Sequence, residues 1–478
     1  MTTTRLTPPS SDTKRGSLVI LCAAMFLVLL DVSIVNVALP SIASGLGGGT
    51  AGAQAVVDSY TVPLAALLLT AGAAADRWGA RRAFAAGLLA FGAGSICCTL
   101  APNLVALIAG RVVQGVGAAA MLPASLALIS AIWTDPAERA RAIAIWSGVS
   151  GSAVAVGPLI GGALIGVGGW RLIFLVNLPV VVAATAGARL LPAGATQDRR
   201  IDWLGAASST VCLGCVIGAV IELGRAGVSG AGAALATCAV LAAVVFVVGQ
   251  LRSATPMVPR ELWRNGALLR SCGGSFGMNL VGNGSLLVVA FLFQLVQGRD
   301  AFAAGLATIP MFAPLTLVPL LGRRWMVRVR PARLVRVGFA LGAVGELALA
   351  AAVWRSPHTV VAMLPGMLLA GGALGLLVTP LVATAVAAAP AHSGLVGGLN
   401  NAARQTGTSV GVALFGTVAG AADAPGATTR MAWCFVLGAT IWCASGVLAG
   451  RVGGRWRHTP RAGNDSSLSS DARRMESR

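Results

Sequence analysis

The feature that most constrains the fold is a series of fourteen long apolar runs separated by polar segments. An α-helix needs about 20 mostly apolar residues to cross a bilayer. The runs are rich in Ala, Leu, Val and Gly and show no alternation of period two, which favours helices over barrel strands. We therefore predict an all-α polytopic membrane protein. The runs cover about residues 17–40, 52–74, 82–101, 104–133, 138–168, 170–192, 203–224, 230–251, 268–297, 301–322, 334–354, 359–389, 394–420 and 429–450.

Composition narrows the function classes. The mean hydropathy of +0.81, with only 11% charged residues, is far too apolar for a soluble domain. The single lysine, Lys14, precedes Arg15, so no phosphate-binding G-K-[ST] loop exists and this chain alone cannot drive transport with ATP. The nine cysteines all lie in apolar runs and are expected to pack rather than form disulfides. No His/Cys cluster or nucleophile triad points to a metal, a cofactor or an embedded enzyme or sensor.

The basic residues predict the orientation. If the N-terminus is cytoplasmic, 28 of the 35 basic residues fall on the cytoplasmic side and five outside, and Arg111 and Arg404 lie within helices. Cytoplasmic loops of membrane proteins carry such an excess, so both termini are expected in the cytoplasm. The net charge of +19 then reflects orientation and lipid contact and not a nucleic-acid partner. Abundant Ala, Gly and Arg with almost no Lys suggest the cytoplasmic membrane of a high-GC bacterium.

Three charged residues lie at membrane depth in the first half of the chain. At about 1.5 Å per residue, Asp31, Asp58 and Arg111 each lie roughly 9–10 Å from the outer edge of the hydrocarbon core. A charge there is expensive, so these side chains are candidates for proton coupling, with Arg111 neutralising one carboxylate while the other titrates. The alternative is a structural role, in which they join helices through hydrogen bonds.

The loop between the second and third runs has the spacing G-x-x-x-D-R-x-G-x-R-R. Its residues could form no more than a charged turn, but the pattern resembles the signature loop of the major facilitator superfamily. The positions that match the pattern are Gly72, Asp76, Arg77, Gly79, Arg81 and Arg82.

Further motifs extend this resemblance over about residues 17–450. The stretch from Arg111 to Ala119 is similar to the R-x-x-Q-G-x-G-A-A pattern of the superfamily. The stretches 31–40, 170–179 and 397–407 look like the fourteen-helix drug:proton antiporter family. The G-P-x-x-G-G motif of exporters is matched by Gly157, Pro158, Gly161 and Gly162.

The resemblance implies an architecture and an activity. It implies a major facilitator fold with 14 transmembrane helices: six-helix bundles at 17–192 and 268–450, and two inserted helices within 193–267. The terminal segments 1–16 and 451–478 are polar and are expected to be disordered and cytoplasmic. The implied activity is proton-coupled efflux of small amphipathic or cationic drugs by a monomer without a cofactor. A proton-coupled transporter dedicated to one natural metabolite or lipid, for export or uptake, remains the alternative.

The resemblance also suggests how substrate and leak are handled. Glycine and proline in the G-P-x-x-G-G motif would let that helix bend and pack closely, which would limit leak during alternating access. Segment 301–322 lacks the carboxylate that some family members associate with dicationic substrates, which weakens any assignment of divalent-cation export. Substrate-cavity candidates are Asn36, Gln114, Asn279, Asn283, Gln294 and Arg404.

Overall fold

The computed structural model describes residues 11–46, 49–192, 202–227, 229–253, 256–299, 301–326, 328–419 and 426–450. The regular structure in these ranges is helical, and each apolar run overlaps one helix or a pair of them. The tail 451–478 and residues 1–10 and 193–201 lie outside the described residues. The helices are α1 (Ser11–Leu46), α2 (Gly49–Trp78), α3 (Ala80–Thr99), α4 (Leu104–Ile132), α5 (Pro136–Gly168), α6 (Leu172–Leu175), α7 (Asn177–Ala188), α8 (Trp203–Ala226), α9 (Gly230–Arg252), α10 (Arg260–Trp263), α11 (Gly266–Phe291) with a π-helical turn (Leu292–Val296), α12 (Ala301–Met326), α13 (Pro331–Arg355), α14 (Val360–Ala388), α15 (Ser393–Ala419) after a short 3-10 turn (Pro390–His392), and α16 (Ala427–Ala449).

Eleven helices in the described part of the chain are long and apolar enough to cross a membrane. They are α1, α2, α3, α4, α8, α9, α11, α12, α13, α14 and α16. Helices α5 and α15 and the α6–α7 pair are not among them, so the structure supports about eleven spans and leaves the count of fourteen unconfirmed.

Helix α1 begins at Ser11, inside the segment that we expected to be disordered. The Ser17 hydroxyl donates to the carbonyl of Thr13 at 2.8 Å. Lys14 Nζ donates to Glu138 Oε2 at 2.8 Å, which ties this turn to the start of α5. The expectation of disorder is therefore wrong for residues 11–16, because neighbouring groups hold that turn.

Two large buried cores organise the helices. One is built mainly from α1 to α5 and α7, and it encloses Phe84, Phe91 and Trp146. The other comes from α11 to α16 and encloses Phe339, Phe435 and others. Each core brings together helices that are close in sequence, so the chain has an N-terminal half and a C-terminal half.

The halves meet where α2 packs on α15 and α5 packs on α12. A Cβ on Gly72 would lie 3.1 Å from the Cα of Leu395, and one on Gly398 would lie 3.3 Å from the carbonyl carbon of Leu68. Such close backbone approach requires glycine, as is common between membrane helices. Glycine therefore sets the α2–α15 contact.

Helices α8 and α9 pack on each other, and α8 also contacts α2 and α15. Asp202 accepts a hydrogen bond from Gly205 N at 2.8 Å and caps α8. Its other oxygen accepts from Gln250 Nε2 at 2.6 Å and from Met257 N at 3.2 Å. One carboxylate thus links α8, α9 and the segment that leads into the C-terminal half.

Candidate functional site

The site centres on a buried ion pair between α1 and α4. Asp31 is 0% exposed and Arg111 is 1% exposed, and Arg111 Nη1 is paired with Asp31 Oδ2. Arg111 Nε donates to the carbonyl of Val56 on α2 at 3.2 Å. The guanidinium lies 4.3 Å from the centre of the Tyr60 ring, a cation–π contact. Asp31 and Arg111, which we predicted from the sequence to lie at the same membrane depth, therefore neutralise each other.

Two amide side chains complete the hydrogen bonding of this pair. Gln114 Nε2 donates to Asp31 Oδ1 at 3.2 Å and to Ser95 Oγ at 2.8 Å, while its Oε1 accepts from Arg111 at 2.9 Å. Asn177 Nδ2 donates to Asp31 Oδ1 at 3.2 Å and to Ser95 Oγ at 3.3 Å. The network spans α1, α3, α4 and α7, and its carboxylate is fully partnered.

The network corrects one expectation and supplies residues that sequence reasoning missed. We expected Gln114 to line the substrate cavity, but it is 0% exposed and serves the ion pair instead. It lies three residues after Arg111, so the two side chains share a helix face. Ser95 and Asn177 were not among the candidates. The available signal was a polar side chain inside an apolar run, and for Asn177 also its place in a family-like stretch.

Asp58 is half-buried on α2, two residues from both Val56 and Tyr60, which contact Arg111. Two residues correspond to a rotation of about 200° around a helix, so Asp58 does not share the face of α2 that carries Val56 and Tyr60. Of the three predicted coupling residues, Asp31 and Arg111 contact each other directly.

The signature loop joins the halves through its acid. Asp76 Oδ1 accepts from Gly394 N and Asp76 Oδ2 accepts from Leu395 N, both at 2.8 Å. These amides are at the first turn of α15, where helix donors lack internal partners and the helix dipole favours a negative charge. Gly72 lies one turn earlier on the same face. Asp76 and Gly72 therefore hold α2 against α15 at this end of the molecule.

The remaining loop residues shape the turn into α3. Gly79 has a φ of 93°, a conformation that favours glycine. Arg81 Nη1 donates to the carbonyl of Leu191 at 3.1 Å, just beyond α7. Arg77 is half-buried and Arg82 is exposed. The loop is thus fixed by one glycine and one arginine as well as by Asp76.

The G-P-x-x-G-G motif packs against α1 directly after Asp31. A Cβ on Gly157 would lie 2.6 Å from the Cβ of Ser33, and one on Gly161 would lie 2.8 Å from Ile34 Cγ1. Gly162 is exposed and has no neighbour within 4 Å of such a Cβ. Helix α5 runs without interruption through the motif, and the Pro158 side chain lies outside the described residues. Two of the three glycines therefore permit close α1–α5 packing.

A polar strip lies between α11 and α15; it consists of Asn279, Asn283, Arg404 and Thr408, all half-buried. Asn283 Nδ2 donates to Thr408 Oγ1 and to the carbonyl of Asn279, both at 3.1 Å. Arg404 lies one turn before Thr408 on α15. Three of the six predicted cavity residues therefore belong to one surface.

The two other cavity candidates lie elsewhere. Gln294 is exposed in the π-helical turn that follows α11, eleven residues and about 16 Å along the chain from Asn283. Asn36 lies in α1, and its side chain is outside the described residues. Neither residue extends the polar strip.

A second buried acid lies in the C-terminal core. Glu346 on α13 is 0% exposed, and both of its carboxylate oxygens lie 2.9 Å from the Ser285 hydroxyl of α11. The indole Nε1 of Trp442 is buried without a hydrogen-bond partner in the described residues. Glu346 was not among the candidate residues drawn from the sequence.

Known proteins resemble this chain over most of its length. Residues 21–412 match the sequence profile of the Major Facilitator Superfamily. The chain is 33% identical to the methylenomycin A resistance protein of Bacillus subtilis, over 86% of this chain and 88% of that protein. It is 35% identical to the puromycin resistance protein pur8 of Streptomyces alboniger, over 85% and 82% of the two chains. The crystal structure of the human organic anion transporter MFSD10 has a similar fold, with a TM-score of 0.69 at 14% identity over 91% of this chain and 99% of that one. These matches confirm the resemblance drawn from the motifs: the chain belongs to the Major Facilitator Superfamily and is a membrane transporter, not an enzyme.

Proposed function

We propose that this transporter exports small amphipathic or cationic drugs and antibiotics across the cytoplasmic membrane in exchange for protons. The observation that carries the proposal is the fully buried ion pair of Asp31 and Arg111 in the N-terminal half. A paired charge at membrane depth is expensive to keep and is typical of proton and ion pathways. The antibiotic-resistance relatives support the class of substrate and the direction of transport.

The proton step acts on the ion pair. A proton that binds Asp31 converts the carboxylate to a carboxylic acid and removes the attraction that holds Arg111. Arg111 is then free to move, and Asp58 on α2 is the second carboxylate that we assign to the proton pathway. One charge that crosses 100 mV supplies about 2.3 kcal/mol, which supports roughly a fifty-fold gradient of substrate.

The substrate binds between the halves, and rocking exposes it to each side in turn. The contact of Asp76 with α15 closes the end of the molecule that the arginine distribution assigns to the cytoplasm. Export requires this contact to open so that substrate can enter from the cytoplasm. The Gly157 and Gly161 contact with α1 moves with Asp31 and limits leak.

We further propose that α5, the α6–α7 pair and α15 also cross the membrane, which makes fourteen spans with both termini in the cytoplasm. Helix α15 has 27 residues, enough to span about 40 Å. Its polar residues include Asn400 and Asn401, which are buried, and Arg404, which is half-buried. The transporter acts as a monomer on a small molecule and protons, within the bilayer and without nucleic acid.

Reconstitution tests the proposal. Purified protein in liposomes with an acidic interior should take up ethidium as protons leave, and the Asp31→Asn variant should lose this uptake. Asp135→Asn is the matched control, because Asp135 caps α5 outside the network and Asn caps a helix equally well. Asp31→Asn with wild-type uptake would contradict the coupling. Failure of dyes and antibiotics to move at all would favour a transporter dedicated to one metabolite or lipid.

A further inference from the structure

Arg404 is a cation at membrane depth that has no partner among the described residues. Among the residues that the structure describes, none shares a hydrogen bond or ion pair with it, and its buried Nε has no acceptor. Arg111, the arginine of the buried ion pair, has an acid, an amide and a carbonyl around it. Because a charge at this depth is costly without a counter-charge, we expect a ligand to supply one to Arg404.

The face of α15 that carries Arg404 meets a different helix on either side of it. Gly397 lies seven residues earlier, about 20° from the direction of Arg404, and a Cβ there would lie 3.2 Å from Leu126 Cδ1 of α4 in the N-terminal half. Gly411 lies seven residues later, and a Cβ there would lie 2.7 Å from the carbonyl carbon of Leu280 on α11. Arg404, half-buried, lies midway between these contacts and beside the polar strip, where α15 passes from the N-terminal half to α11.

The acids of the membrane helices do not supply the counter-charge in this state. Asp31 is engaged by Arg111, Glu346 lies in the C-terminal core against Ser285, and Asp76 binds the first amides of α15. Asp58 belongs to the opposite half, on α2.

We propose that Arg404 and the polar strip form an anion subsite that binds a carboxylate group on an amphipathic substrate. The proposal rests on the export function above and extends it from cationic molecules to molecules that carry a carboxylate, with or without a cationic group. The planar guanidinium presents parallel N–H donors that match the two oxygens of a carboxylate. The amides of Asn279 and Asn283 provide neutral hydrogen-bonding groups beside it.

A matched pair of ligands tests the subsite. A rhodamine dye with a free carboxylate and the same dye as its methyl ester differ in the negative charge and in one methyl group. We expect the wild-type protein, purified in detergent, to bind the acid about tenfold more tightly in fluorescence anisotropy titrations, which corresponds to about 1.4 kcal/mol. Arg404→Gln should bind the two dyes equally, and Arg404→Lys should retain part of the preference, since lysine keeps the charge without the fork.

The control variant is Arg355→Gln, which removes an exposed arginine at the end of α13 and should keep the wild-type ratio of acid to ester affinity. Because this ratio compares two ligands on the same sample, a reduced folded fraction does not change it. If Arg404→Gln does not fold, the test is whether Arg404→Lys has a lower ratio of acid to ester affinity than the wild-type protein. A wild-type protein without preference, or a preference that both Arg404 variants keep in full, overturns the anion subsite while leaving export intact. Binding of neither dye counts against the export function itself.

Discussion

The two halves of the molecule treat a buried acid in opposite ways. In the N-terminal half, Asp31 is held by an arginine and two amides. In the C-terminal half, the Ser285 hydroxyl contacts Glu346, and Arg404 lies on another helix, with no hydrogen bond or ion pair to any residue that the structure describes. This difference is the basis for our proposal that the N-terminal half couples transport to protons and that the C-terminal half uses its cation to bind a ligand.

A glycine contact beside the polar residue occurs in both halves. Gly94 precedes Ser95 on α3, and a Cβ on Gly94 would lie 2.7 Å from the carbonyl oxygen of Gly110 on α4. Gly345 precedes Glu346 on α13, and a Cβ on Gly345 would lie 3.1 Å from the carbonyl oxygen of Gly366 on α14. The residue that follows the glycine is thus a serine in one half and a glutamate in the other.

Removal of one charge from the N-terminal pair should have the largest effect. Arg111→Gln leaves Asp31 buried without a counter-charge, and we expect a loss of about 3–5 kcal/mol in the free energy of unfolding. Thermal or denaturant unfolding in detergent measures it. The double variant Asp31→Asn with Arg111→Gln should recover most of that stability without recovering transport. Additive losses in the double variant would show that the pair is not the coupled unit that the geometry indicates.

Loss of the Asp76 contact between α2 and α15 should have the second-largest effect. Asp76→Ala removes two charge-assisted hydrogen bonds to α15, and we expect the closed contact to weaken by about 1.5–3 kcal/mol. Double electron–electron resonance between spin labels placed on α2 and α15 near Asp76 should show a larger separation in the variant. Arg82→Gln, which alters an exposed residue of the same loop, serves as the control. An unchanged distance distribution in Asp76→Ala would mean that glycine packing alone keeps α2 and α15 together.

The glycine motif beside Asp31 offers a matched pair of adjacent positions. Gly161→Ala places a methyl group 2.8 Å from Ile34 Cγ1, and overpacking of this kind costs about 1–3 kcal/mol. Gly162→Ala meets nothing within 4 Å and should be neutral. Gly161→Ala should therefore unfold more easily and leak more protons into liposomes than Gly162→Ala, which thermal unfolding and a proton-leak assay measure. Equal behaviour would show that α1 and α5 are not as tightly packed in the working protein.

The smallest effect is expected at the C-terminal acid. Glu346→Gln keeps the shape and an acceptor for Ser285, so we expect a change below about 1 kcal/mol in stability and little change in proton-driven uptake. Uptake measured beside Asp31→Asn gives the contrast directly. If Glu346→Gln abolished coupling, the two halves would share proton transfer, and the comparison made above would fail.

Much of this site could be anticipated from single residues. The depth argument brought Asp31 and Arg111 to one level, and they are paired. The same argument grouped Asp58 with them, because depth along a helix carries no information about which face of the helix packs on which neighbour. Gln114 was misplaced for the same reason. Ser95, Asn177 and the Glu346–Ser285 contact depend on distant parts of the chain, up to 146 residues apart, and no local pattern encodes them.

The sequence alone determined that this is a helical membrane protein of the Major Facilitator Superfamily, because hydropathy, arginine placement and the motifs are local properties of the chain. Only the tertiary structure decided which charges meet. Asp31 pairs with Arg111, Asp76 binds α15 across 318 residues, and Arg404 has no hydrogen bond or ion pair to the described residues. The physical reason is that an apolar segment of sufficient length forms a membrane helix whichever helices pack around it. The pairing of charges, in contrast, depends on the rotation of each helix and on the close approach that particular glycines allow.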